Sequence, residues 1–243
     1  MSLINYASRE INCKLVYYGP GLGGKTTNLE TIHRRSEPTR RGKLIALNTA
    51  AERTLFFDLL PVELGSFQGY RVRTHLCTVP GQLAHGATRR QILRHVDAVV
   101  FVVDSQPERM AANQESLRDL RESLSAQGDD FECMPSVVQF NKRDLPNVMP
   151  VAELERLLQT PAHVPRVEAC AADGKGVFET LRLAITACLD AMPDLRKAPT
   201  GHSPSILPGV RPSMFPEAAP AGLYGGKAKS GGAEGSEAPP ATQ

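Results

Sequence analysis

Gly19-Pro20-Gly21-Leu22-Gly23-Gly24-Lys25-Thr26 stands between an apolar run, Ile11–Tyr18, and an amphipathic stretch, Lys25–Arg35. The run reads as a buried strand and the stretch as a helix, so the glycine-rich octet is the turn between them. Glycine tolerates the conformations that aim successive backbone amides inward at an anion. The start of the helix adds unpaired N–H groups and the positive end of its dipole. The octet fits G-x-x-x-x-G-K-[ST], in which the lysine meets the terminal phosphates and the hydroxyl meets Mg²⁺. A nucleoside triphosphate site is therefore expected on Gly19, Pro20, Gly21, Leu22, Gly23, Gly24, Lys25, Thr26 and Thr27, with Thr26 toward the metal.

Outward from the octet, strand-like and helix-like stretches alternate. Lys43–Leu47, Tyr70–Val79, Ala98–Val103, Ser136–Phe140 and Val164–Ala169 read as further strands, the third a continuous β-branched and aromatic run suited to burial on both faces. Met110–Gln127, Val151–Leu158 and Val177–Met192 carry apolar residues at helical spacing. This rhythm predicts an α/β fold with a mostly parallel central sheet flanked by helices.

The base is addressed by Asn141-Lys142-Arg143-Asp144, which follows the strand Ser136–Phe140. A carboxylate at Asp144 accepts two hydrogen bonds from the ring N–H and exocyclic amine of guanine, which adenine does not offer. The position fits too, because ligands of open α/β sheets bind beyond the carboxyl ends of the strands. Cys170-Ala171-Ala172 again follows a strand, and its small residues let a backbone amide approach the base.

Gly19–Thr26, Asn141-Lys142-Arg143-Asp144 and Cys170-Ala171-Ala172 together resemble the motifs of the Ras-like small GTPases. Thr78-Val79-Pro80-Gly81-Gln82 resembles their Asp-x-x-Gly-Gln motif with threonine in place of aspartate. That threonine, with Ile11–Lys14, Tyr17–Leu22, Arg53–Asp58 and Asn141–Asn147, makes the chain similar to the bacterial gliding-motility (MglA) family over about residues 1–192. The resemblance implies a P-loop small-GTPase fold and a Mg²⁺-dependent switch with GTP as substrate and GDP as product. It implies that the Gly81 amide meets the γ-phosphate, Gln82 orients the attacking water and Arg53 is a built-in arginine finger. It places the first switch within Ser36–Asp58, with Thr54, or else Thr49, closing on the metal. Thr78 lacks the charge of the carboxylate it replaces. A Roadblock-type activating protein and polarity or motility effectors are the partners the family implies.

Composition narrows the rest. The 243 residues carry 28 Lys and Arg against 26 Asp and Glu, too even a balance for nucleic acid to be the main partner. No signal peptide, membrane span or lipidation motif is present, so a cytoplasmic protein without a membrane anchor is expected. Five scattered cysteines and six histidines show no metal-ligand spacing. Arg89, Arg90, Arg94 and Arg109 suggest a solvated basic face, and Phe56, Phe57, Leu59 and Leu60 an apolar group that a switch would bury or expose. Pro199–Gln243 holds eight Pro and eight Gly in 45 residues, a composition expected to stay disordered. The expected division is a GTPase domain over 1–197 and a tail over 198–243.

Two rivals to the switch are a guanine-nucleotide-binding interaction module that does not hydrolyse, and a P-loop phosphotransferase. The second needs an arginine-rich lid, which the sequence does not offer. One substitution follows from the switch reading. Gly21→Val is expected to keep GTP binding and impair hydrolysis, because a branched side chain obstructs Gln82 and Arg53. Normal single-turnover hydrolysis by that variant would refute this placement.

Overall fold

The computed structural model describes residues 3–47, 57–81 and 86–192. Thr49, Arg53, Thr54, Phe56, Gln82 and the 198–243 segment lie outside them. Eight strands form one sheet: β1 (Leu3–Asn5), β2 (Glu10–Tyr18), β3 (Ile45–Leu47), β4 (Phe57–Phe67), β5 (Tyr70–Thr78), β6 (Ala98–Asp104), β7 (Ser136–Asn141) and β8 (Arg166–Glu168). The order is β3-β4-β5-β2-β6-β7-β8, with β1 antiparallel to the start of β2. β5, β2, β6, β7 and β8 run parallel, whereas β4 is antiparallel to both β3 and β5. The helices are α1 (Lys25–Arg35), α2 (Gly86–Leu93), α3 (Met110–Ser125), α4 (Val151–Leu158) and α5 (Val177–Asp190).

Alternation along the strands builds two cores. On β2, Ile11, Cys13, Leu15 and Tyr17 face the side covered by Leu29 and Ile32 of α1 and Leu181 and Ile185 of α5. Val16 and Tyr18 face the other side, with Ile92 of α2, Leu117 and Leu120 of α3 and Leu154 of α4. Every residue of β6 is buried, as the continuous apolar run predicts. The phosphate turn thus leaves the centre of the sheet, flanked by the ends of β5, β6 and β7.

β4 is the element the sequence conceals. Leu60, Val62 and Leu64 bury on one face, while Phe57 and Leu59 pack on the other. Pro61 is tolerated because the ladder there asks only for its acceptor: its carbonyl takes the Gly42 N–H at 2.8 Å, beside a bridge between Arg41 and Val62. The β4–β5 hairpin begins with Phe67 opposite Tyr70 and Ser66 opposite Arg71, then continues with Glu63 opposite Arg73. This is a one-residue bulge, and Gly65 lies inside it at φ 97°. The shift decides which β4 residue lies beside Thr78.

Tyr17 is fully buried and its hydroxyl has no hydrogen-bond partner among the described residues. Burial drives its phenol well above the ordinary range. An unmatched buried hydroxyl costs about 1–3 kcal/mol. Tyr17→Phe is therefore expected to leave thermal unfolding unchanged or raise it by about 2–4 °C. A clear drop in midpoint would mean that the hydroxyl has a partner.

Candidate functional site

The phosphate turn is held from the outside. Lys25, the first residue of α1, is 6% exposed, and its Nζ donates to the carbonyls of Gly19 at 2.9 Å and Pro20 at 2.7 Å. An ammonium has three N–H groups, so one remains for a ligand inside the turn. Gly24 adopts φ 97°, and a Cβ there would run into the Asn141 amide, which explains why only glycine fits. Asn141 is 2% exposed and works in two directions. Its Nδ2 donates to the Gly23 carbonyl at 2.8 Å, and its Oδ1 accepts from the Ala171 N–H at 2.9 Å. One side chain thus ties together the phosphate turn, the segment after β7 and the segment after β8.

Asp144 is exposed, three residues beyond Asn141 at the end of β7. Cys170 is buried beside it. Burial first, and then the neighbouring Asp144 and Asp173 carboxylates against an opposing backbone bond at Asp173, push its thiol up to about 11, so it stays protonated. Lys142 sits at φ 65° and donates to Asp104 Oδ2 at 2.7 Å. Gly81 packs so closely on the turn that a Cβ there would press on the Gly21 backbone and lie 2.9 Å from Lys25 Nζ.

The structure brings in a residue to which sequence reasoning gave no role. Asp58, near the start of β4, accepts from the Thr26 hydroxyl at 2.6 Å and the Thr78 hydroxyl at 2.9 Å, both at Oδ2. Its own N–H donates to Thr78 Oγ1 at 2.8 Å. The threonine that replaces the usual aspartate therefore carries a carboxylate from the neighbouring strand. Counting back from the hairpin turn without the bulge would have put Leu59, not Asp58, beside Thr78. No linear motif marks the bulge, and glycine inside an apolar alternation was the one available signal.

Two of the four arginines expected on a solvated face are instead built into the fold. Arg89 is 4% exposed and forks onto Asp119 of α3 at 2.7 and 3.0 Å, where the Tyr18 hydroxyl also donates. Arg109 turns inward to the Gly21 carbonyl, while Arg90 and Arg94 are exposed. Leu60 is buried in the core on one face of β4, and Phe57 and Leu59 are partly buried against the core on the other. No helix among the described residues is long and apolar enough to cross a membrane.

The ADP-ribosylation factor family model matches residues 66–187. The mutual gliding-motility protein MglA of Myxococcus xanthus (strain DK1622) is 55% identical over 182 residues, which cover 75% of this chain and 93% of that protein. The chain belongs to the MglA family of small GTPases. Human ADP-ribosylation factor-like protein 4A is 29% identical over 175 residues, 69% of this chain and 78% of its own length. The chain is accordingly a guanine-nucleotide-binding, GTP-hydrolysing molecular switch with regulators and effectors of the kind such switches have.

Lys25 gives the site a pH signature. Burial, followed by the nearby Arg89 guanidinium, lowers its ammonium to about 8, with Asp58 opposing and Arg109 adding to the fall. Phosphate oxygens favour the charged form. Below that value the ammonium is already present, and above it binding must take up a proton. Guanosine diphosphate affinity is thus expected to hold steady below about pH 8 and to fall as pH rises above it, where the free chain loses the Lys25 proton. Calorimetry in two buffers of different ionisation enthalpy measures the uptake. Affinity and heat that ignore pH and buffer would contradict it.

Proposed function

We propose that the chain is a Mg²⁺-dependent polarity or motility switch whose metal-side carboxylate is Asp58. The observation that carries this is the single Asp58 oxygen shared by Thr26 and Thr78. A small GTPase needs negative charge behind its metal-binding hydroxyl, and Thr78 supplies none. Asp58 restores it from β4. The fit to Mg²⁺ is chemical: a hydroxyl and a carboxylate offer hard oxygen donors. Among the described residues no three His, Cys, Asp or Glu gather as an all-protein cage would require, which suits an ion that retains waters and shares phosphate oxygens. Thr26 and Thr54 would hold the ion, which would neutralise charge on the β- and γ-phosphates.

The protein's own groups do the rest. Amides of Gly21–Thr27 orient the triphosphate, and the remaining Lys25 N–H meets it. Asp144 reads guanine, with Asn141, Lys142, Cys170 and Ala171 holding that side of the site. The Gly81 amide contacts the γ-phosphate, Gln82 orients the water and Arg53 offsets charge developing on the transferring oxygens. Water adds to the γ-phosphorus as its bond to the β-phosphate oxygen breaks, leaving GDP and phosphate. The relative's name supports gliding motility as the process. A Roadblock-type activator, polarity effectors and a cytoplasmic location follow from the family resemblance, and the change in composition supports an activity carried by residues 1–197 with 198–243 as an appended tail.

The test is GTP turnover against Mg²⁺ concentration for the full chain and for residues 1–197, comparing wild type with Asp58→Asn, Gln82→Ala and Arg53→Ala. Asp58→Asn is expected to raise the Mg²⁺ needed for half-maximal turnover about tenfold or more, the usual cost of losing a group that supports a metal ligand. The other two variants are expected to bind GTP and lose turnover. An unchanged Mg²⁺ requirement would remove Asp58 from this role. Tight GTP binding without turnover under any condition would favour the interaction-module reading.

A further inference from the structure

The amides of a phosphate turn point inward, so its carbonyls point outward and each needs a donor. Lys25 serves Gly19 and Pro20, and Asn141 serves Gly23. Asn28 serves Gly24 through its backbone N–H at 3.0 Å and its side chain at 2.9 Å. The Gly21 carbonyl is served by a residue outside all of the recognised motifs, Arg109, whose Nη2 lies 2.6 Å away. Arg109 ends the short 3-10 turn Pro107–Arg109 that follows β6. Its Nε lies 3.6 Å from Oδ2 of Asp104, a carboxylate with no exposed surface. The same oxygen receives Lys142 Nζ at 2.7 Å. A line of alternating charge, Lys142–Asp104–Arg109, therefore runs from the guanine side of the site to the Gly21 carbonyl.

Leu22 explains why that carbonyl needs holding. It adopts φ 63° and is 87% exposed, so little packing compensates a conformation that a side chain other than glycine's disfavours. Turning over the Gly21–Leu22 peptide would relieve Leu22. Because the peptide is planar and trans, it would also swing the Gly21 carbonyl toward the phosphates and the Leu22 N–H away from them.

We propose that Arg109 is a positioning residue that holds the Gly21–Leu22 peptide with its amide toward the terminal phosphates, and that Asp104 couples this hold to Lys142. The proposal rests on the reading of Gly19–Thr26 as the guanine-nucleotide phosphate site. It predicts a dependence on phosphate number, since the peptide lies beside the terminal phosphates and not the base. It also predicts a dependence on residue 22, because glycine there has no conformation to relieve.

The test is equilibrium competition on the full chain against a fluorescent guanosine diphosphate, with GDP and GMP as competitors and a melting curve for each variant. Arg109→Ala is expected to weaken GDP about tenfold, the size of one lost charge-assisted hydrogen bond, and to change GMP by less than about twofold. In a Leu22→Gly background the same substitution is expected to cost only about threefold, because the alternative peptide no longer relieves strain. Arg109→Lys, which keeps a donor, is expected to recover most of the GDP affinity. An unchanged GDP affinity in Arg109→Ala overturns the proposal. So does an equal loss for GDP and GMP that is the same in both residue-22 backgrounds, since that describes a merely structural side chain. Failure of the wild type to bind either competitor overturns the nucleotide site itself, a result distinguishable from the other two.

Discussion

Asn141 is the joint on which the site depends. Its amide reaches the Gly23 carbonyl and its oxygen takes the Ala171 N–H, so three chain segments far apart in sequence meet on one buried group. The geometry is available because β2 and β7 flank β6 in the same parallel sheet, and parallel strands deliver their carboxyl ends to one edge. Gly24 completes the joint by having no Cβ where the Asn141 amide sits. The two requirements are reciprocal: a larger residue at 24 displaces the amide, and a shorter one at 141 leaves two buried backbone groups without partners.

The pairing of Asp58 with Thr78 follows from sheet register. In most hairpins a bulge adjusts twist, but here it also selects which side chain stands beside Thr78. With the bulge between Glu63 and Ser66, Leu59 lies opposite Cys77 and Leu60 opposite Leu76, and Asp58 falls next in step. A carboxylate delivered by this antiparallel neighbour stands where the expected first switch, Ser36–Asp58, runs into β4, whereas a carboxylate at residue 78 would belong to the parallel part of the sheet. With threonine at 78, the carboxylate beside Thr26 stands on β4 and not on β5.

Much of this was legible in the sequence because it rests on local pattern. The octet at Gly19 fixed its own strand and helix, and the predicted helix Val151–Leu158 is the observed α4. The buried run Ala98–Val103 likewise lies within the observed β6. What escaped depends on distant partners. β4 reads poorly because Pro61 and Gly65 interrupt its alternation, and it becomes a strand only through β5. Arg89 and Arg109 look like surface charges until Asp119 and Gly21, 30 and 88 residues away, are placed beside them. Composition gives a side chain its charge but not its counter-ion.

Those placements leave the phosphate turn with an uneven charge balance. Lys25, Arg89 and Arg109 lie close enough for the two guanidiniums to oppose the Lys25 ammonium. Two of the three are already matched: Arg89 by Asp119, and Arg109 by Asp104, whose single charge is shared with Lys142. Lys25 has only carbonyl dipoles and a share of Asp58, which also serves Thr26 and Thr78. The unmatched charge is therefore concentrated on the Lys25 ammonium at the turn, and a polyphosphate is the anion whose shape and charge both suit it. Binding energy drawn from relieving that imbalance is available only to the folded chain, because unfolding disperses the three cations. By linkage, nucleotide occupancy and the stability of the folded domain rise together, so a partner that pries β4 or the phosphate turn apart weakens nucleotide binding and loosens the fold around it in a single step.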